Sequence, residues 1–135
     1  MKGVDVVNDP RLERLAEVLL GHSTGVAAGE KVLIECFDLP EPTLPCLLVR
    51  KAVERGAMPL VSVKSNRILR ELWLNGSAKQ LRLIGELELA RMKQVQAYIG
   101  IRGTDNVSEM SDVPAKQMDL YTTYIWNPVH IKTRV

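Results

Sequence analysis

Ala97-Tyr98-Ile99-Gly100-Ile101-Arg102-Gly103-Thr104-Asp105-Asn106-Val107-Ser108-Glu109-Met110 is the stretch that decides the fold. Ala97, Ile99 and Ile101 recur at every second position, with Tyr98 on the opposite face, which is the period of a buried strand. The pattern ends at Arg102, and Gly103 to Asn106 supplies turn chemistry. Gly and Asn tolerate positive φ, and Asp and Asn side chains bond nearby backbone amides. In an open α/β sheet, ligands gather at the carboxyl ends of the strands. Gly103, Asp105, Asn106 and Glu109 are therefore the candidate site residues, on a loop that would contact substrate or another domain. The structural alternative is that Asp105 and Asn106 shape the turn and Asp112 caps the next helix.

Working towards the amino terminus, Ser77-Ala78-Lys79-Gln80 matches a capping box that opens a long helix ending near Gln94. Leu83, Ile84, Leu87 and Ala90 are its expected inner face. Before it, Asn66 is expected to cap a short helix closed by Asn75-Gly76. Pro59 starts a strand over Leu60 to Lys64. Thr43 is expected to cap a helix running from Leu44 to Arg55, with Gly56 as its left-handed terminator. Lys31 to Phe37 is a short apolar run that reads as the first strand, with Val32, Leu33 and Ile34 continuous, as in a strand covered on both faces. Asp9-Pro10 opens the first helix, whose apolar stripe is Leu12, Leu15, Ala16 and Leu19, with Gly21 as its stop.

Towards the carboxyl terminus, Asp112-Val113-Pro114 starts a helix that carries Met118, Tyr121 and Ile125 inward and stops at Asn127-Pro128. Val129 to Val135 alternates apolar and polar residues like a further strand. Strands that alternate with helices give a parallel sheet with right-handed crossovers. The expected fold is α/β: a three-layer α-β-α arrangement around a small, mainly parallel sheet of three or four strands, Rossmann- or flavodoxin-like. Residues 1–135 are expected to form a single domain.

Composition limits the partners. The 135 residues suit one domain, and 46% hydrophobic content is ordinary for a globular chain. A net charge of +2 without any long Lys/Arg run, together with 4% aromatic residues, argues against nucleic acid as a partner. No segment reaches the roughly 18 apolar residues of a membrane span, and no signal peptide is evident. A cytoplasmic location without membrane association is expected. Cys36 and Cys46 match no zinc spacing and no disulfide framework, so both read as reduced thiols.

The chemistry-bearing residues are sparse. His22 and His130 stand in no ligand spacing, so no metal-binding residue is assigned. Cys36 sits near the end of a strand, where a reactive thiol could sit, but no base is evident beside it and a small buried hydrophobe is the plainer reading. The loop Asp38-Leu39-Pro40-Glu41-Pro42 is acidic and proline-rich, and its carboxylates would repel a phosphate. No catalytic residue is assigned.

Several segments together resemble one family. Asp9 to Ala16, Gly29-Glu30-Lys31-Val32-Leu33-Ile34, Gly56-Ala57-Met58-Pro59-Leu60-Val61, and Tyr98 to Asn106 with Pro114 downstream are similar to the thermophilic-type metalloaminopeptidases, the aminopeptidase T and aminopeptidase S family. Pro128-Val129-His130 to Thr133-Arg134 resembles that family's approach to its next strand. The resemblance implies a two-domain, homodimeric cytosolic exopeptidase that removes N-terminal amino acids from peptides. It also implies two divalent metals, zinc or cobalt, held in a C-terminal domain that has no counterpart in these residues. The expected role is that of the N-terminal domain, inactive by itself, with an exposed apolar patch and a tendency to form an oligomer. The alternatives are a free-standing α/β ligand-binding or protein-interaction module, and a minimal enzyme built on Cys36.

Overall fold

A computed structural model of the chain describes residues 10–103 and 115–124. Their element order is α1 (Pro10–Glu17), a π-helical turn (Val18–Ser23), β1 (Lys31–Phe37), α2 (Thr43–Glu54), β2 (Met58–Lys64), α3 (Asn66–Asn75), α4 (Ala78–Gln94), β3 (Ala97–Arg102) and α5 (Ala115–Tyr121). The strands form one open parallel sheet in the order β2-β1-β3, which places the fold in the α/β class. The expected strand at Val129 to Val135 and the helix start at Asp112-Val113-Pro114 lie outside the described residues. The chain divides into two units, residues 10–63 with 95–103 and residues 64–94 with 115–124.

The first unit holds the sheet. β1 and β3 run parallel with Val32 beside Ala97, Ile34 beside Ile99 and Cys36 beside Ile101. These six side chains share one face, because alternate residues of a strand point the same way. That face packs under Ala16 and Leu20 from the first helical segment and Leu47, Leu48 and Ala52 from α2. The opposite face carries Leu33, Glu35 and Phe37 from β1 and Tyr98, Gly100 and Arg102 from β3. Both faces of β1 are buried, as the continuous Val32-Leu33-Ile34 predicts. At the amino end of the sheet, Gln96 clamps the first residue of β1. Its side chain accepts from the Lys31 amide at 2.7 Å, and its own amide donates to the Lys31 carbonyl at 2.9 Å.

The first helix continues past Gly21, the expected stop, as a π turn. The Thr24 amide and hydroxyl both donate to the Leu19 carbonyl, at 3.1 and 2.9 Å, and the amide contact is the i→i+5 bond that widens the turn. Leu12, Ala16, Leu19 and Leu20 face the core, whereas Leu15 is exposed. On the outer surface Lys51 Nζ donates to Glu17 Oε1 at 2.9 Å, tying α2 to α1.

α2 begins at Thr43 itself, so Thr43 is the first helical residue and not the cap. Its hydroxyl donates to the Glu41 carboxylate. Gly56 ends the helix in the left-handed region at φ 82, as expected. β2 starts at Met58 and so contains Pro59, two residues earlier than the sequence suggests. Its place at the edge of the described sheet allows this. The Met58 amide donates to Glu30 at 2.8 Å, which turns the even-numbered amides of β2 towards β1 and leaves position 59 facing outward.

The second unit is helical. Ser65 rather than Asn66 caps α3, accepting from the Ile68 amide at 3.3 Å. Ser77 caps α4 as the capping box predicts, accepting from the Gln80 amide at 3.2 Å. The buried face of α4 differs from the expected one. Leu81, Gly85 and Met92 are buried, and Ile84 packs against the core as expected, while Leu83, Leu87 and Ala90 are exposed. Trp73 and Leu81 form the centre of this unit, with Met118, Leu120, Tyr121 and Tyr124 packed against them. Trp73 and Tyr121 meet at 4.8 Å between ring centroids, and Gln117 donates to the carbonyls of Trp73 and Gly76 at 2.6 and 3.0 Å. Met118 and Tyr121 thus lie inward as expected. Ile125 is outside the described residues.

Candidate functional site

The carboxyl ends of β1 and β3 lie side by side, because Phe37 is in register with Arg102. The ladder extends one step further, where the Gly103 amide donates to the Phe37 carbonyl at 2.7 Å. Gly103 is essential there through close approach and not through positive φ. A Cβ at this position would run into the carbonyl oxygen of Asp38 and stand 2.8 Å from its carbon. The left-handed residue is Asp38, at φ 55, and its turn brings its carbonyl against β3. The Arg102 guanidinium lies over the Phe37 ring, 4.5 Å from the centroid.

One turn of the strand below, Glu35 is buried in the middle of β1. The Tyr98 hydroxyl donates to its Oε1 at 2.8 Å. Gly100 makes this reach possible. A Cβ there would stand 3.0 Å from both Cε1 and the hydroxyl oxygen of Tyr98, so the ring lies across a position that has no side chain. A buried carboxylate needs such partners, because an unpaired one is costly. The sequence reading passed over Glu35. Its signal was a single carboxylate inside an otherwise apolar strand.

Cys36 projects to the other face and is buried. Burial, with a smaller contribution from the Glu35 carboxylate, pushes its thiol above the ordinary value of 9.0. At neutral pH it is therefore a thiol, which is the unreactive form. Cys46 is exposed, and so is His22. Of the expected loop, Gly103 is at the strand end described here. Asp105, Asn106 and Glu109 fall outside the described residues, as do Asp112 and His130.

These features define a class of protein: an open α/β domain whose parallel strands end together in a tightly nested turn above a buried carboxylate–tyrosine pair. The thermophilic metalloprotease (M29) family profile matches residues 8–124, and the chain belongs to that family. Among solved structures it is similar to wild-type AmpT from Thermus thermophilus, with a TM-score of 0.65 at 17% identity. That alignment covers 89% of this chain and 31% of the AmpT chain, so the chain spans about a third of that protein's length. At this identity the likeness concerns the fold. No curated protein matches the chain.

Membership of a metalloprotease family raises the question of where a metal would sit. Among the described residues no group of three or more His, Cys, Asp or Glu side chains is placed to hold one. These residues therefore do not fit a metal centre. No helix among them is long and apolar enough to cross a membrane.

Proposed function

We propose that this chain acts as the N-terminal α/β domain of a metal-dependent aminopeptidase that removes N-terminal amino acids from peptides. The observation that carries this reading is the family match over residues 8–124. The fold likeness to about a third of AmpT supports it. In this reading residues 1–135 are one domain of the enzyme and do not hydrolyse peptides alone. Zinc or cobalt is bound by a second, C-terminal domain, and the complete enzyme is a cytoplasmic oligomer.

The domain's contribution is to wall the substrate cavity. Its strand-end loop, Gly103 with Asp105, Asn106 and Glu109, faces the metal-binding domain and the bound peptide. The rigid turn formed by Asp38 and Gly103 suits that task, since a cavity wall must hold its shape while peptides enter and leave.

The test is hydrolysis of leucyl p-nitroanilide with added zinc or cobalt, together with bound-metal analysis. The 135-residue chain is expected to show no turnover and no stoichiometric metal. A polypeptide extended with the metal-binding domain is expected to show both. Metal-dependent turnover by the 135-residue chain would overturn the reading.

A further inference from the structure

We infer that Arg102 is a peptide-binding residue that takes the C-terminal carboxylate of a short peptide at the carboxyl end of the sheet. The inference rests on the proposed peptide substrate and adds the group that the domain recognises. Arg102 is the last residue of β3, where an open parallel sheet presents its ligand-binding edge. It is exposed, yet its head is not loose. The guanidinium lies 4.5 Å from the Phe37 ring centroid, and Phe37 is itself buried.

This contact places the guanidinium carbon over the ring face, and a guanidinium so held keeps N–H donors for a further acceptor. Among the described residues no acceptor takes them. The acidic neighbours are already engaged: Glu35 on β1 accepts from Tyr98, and Asp38 in the turn after it has contacts of its own. The backbone beneath is fixed by the Gly103 to Phe37 hydrogen bond and by the close approach of Asp38. A planar fork held on a rigid platform matches a carboxylate, which it can bind through two parallel hydrogen bonds.

The surroundings select among anions. Asp38 follows directly on β1 and adds a negative charge beside the turn, which disfavours a phosphate dianion more than a single carboxylate. A short peptide meets this requirement when its amino end is at the reacting site and its carboxyl end reaches the wall. The domain would then favour short peptides with free carboxyl ends over amidated ones.

The experiment uses the 135-residue chain labelled with nitrogen-15, titrated with Leu-Gly-Gly, with its C-terminal amide and with inorganic phosphate. The free acid is expected to shift the Arg102 Nε–Hε and Gly103 amide resonances saturably, and the amide and phosphate are not. Arg102→Gln is expected to abolish the shift. Arg102→Lys, which keeps the charge but loses the fork, is expected to weaken binding roughly tenfold. Equal binding of acid and amide, equal binding of phosphate, or no saturable shift by the free acid would each overturn the assignment. Those outcomes leave the aminopeptidase reading standing, since that is decided by turnover of the extended polypeptide.

Discussion

Replacing Gly103 by alanine tests whether the two strand ends are as tightly nested as the structure shows. The new Cβ would be driven into the Asp38 carbonyl, 2.8 Å from its carbon and 3.3 Å from the Phe37 oxygen, where ordinary contact begins at 3.4 Å. Both neighbours are backbone, so no side chain can swing aside. The strand ends must separate, which costs about 1–3 kcal/mol as overpacking. Separation also weakens the Gly103 to Phe37 hydrogen bond of 2.7 Å, a further loss of about 0.5–1.5 kcal/mol. The sum is about 1.5–4.5 kcal/mol, and with a urea slope of about 2 kcal/mol per molar the midpoint falls by about 0.8–2.3 M. Circular dichroism through a urea titration reads this directly. Gly29→Ala is the comparison, with positive φ (83) but nothing within 4 Å of the new Cβ, and it is expected to cost only about 1 kcal/mol. A Gly103→Ala midpoint within about 0.3 M of the parent, or a loss smaller than that of Gly29→Ala, would refute the nested-turn account.

Tyr98→Phe removes the hydroxyl donor from buried Glu35 and is expected to destabilise the fold by about 1–3 kcal/mol, read as a lowered melting temperature. No loss would mean that the pair contributes nothing. An aromatic disulfide reagent at pH 7 is expected to label exposed Cys46 quickly and Cys36 only on unfolding; equal rates would contradict the burial of Cys36. The raised thiol of Cys36 also sets a pH dependence. The unfolded chain loses this proton first, so its contribution to stability is intact below the ordinary value of 9.0 and is lost as pH rises from there through the folded value. Cys36→Ala should remove that alkaline slope in urea melts recorded across the range. Finally, Leu81→Ala should cost about 2–5 kcal/mol and Leu87→Gln less than about 0.5 kcal/mol, and the reverse order would return α4 to the face its sequence suggests.

The strands were legible because their patterns had one reading. The continuous Val32-Leu33-Ile34 of β1 requires cover on both faces, and the alternation in β3 names its inner residues. The face of α4 was ambiguous, since leucine or isoleucine stands at 81, 83, 84, 87 and 89. Gly85 is buried on the inner side, and a residue without a side chain leaves no mark in an apolar pattern. At the start of α3 two adjacent residues can both cap, and only the backbone geometry selects Ser65. The π turn depends on the bonding of Thr24 to Leu19, which no apolar period reports. At the site, Gly103 was recognisable as special, but the reason lies in Asp38, which meets it only once β1 and β3 pair. Glu35 was visible as an anomaly. Its partner is 63 residues away in the chain, so the pair emerges only from the register.

Pro59 has a consequence for how the sheet behaves towards other molecules. Among the described strands β2 lies at the edge, and Met58, Leu60, Val61 and Val63 on it are exposed, a composition that invites a foreign strand to add on. The outward amides of such an edge are those at 59, 61 and 63, and proline leaves the first of them without a hydrogen. An incoming strand therefore finds an interrupted ladder with two donors where three would stand. Pro59, the second residue of β2, is thus placed to guard against templated aggregation, and Pro59→Val should shorten the lag of thioflavin T fluorescence while leaving the circular dichroism spectrum of the fold unchanged.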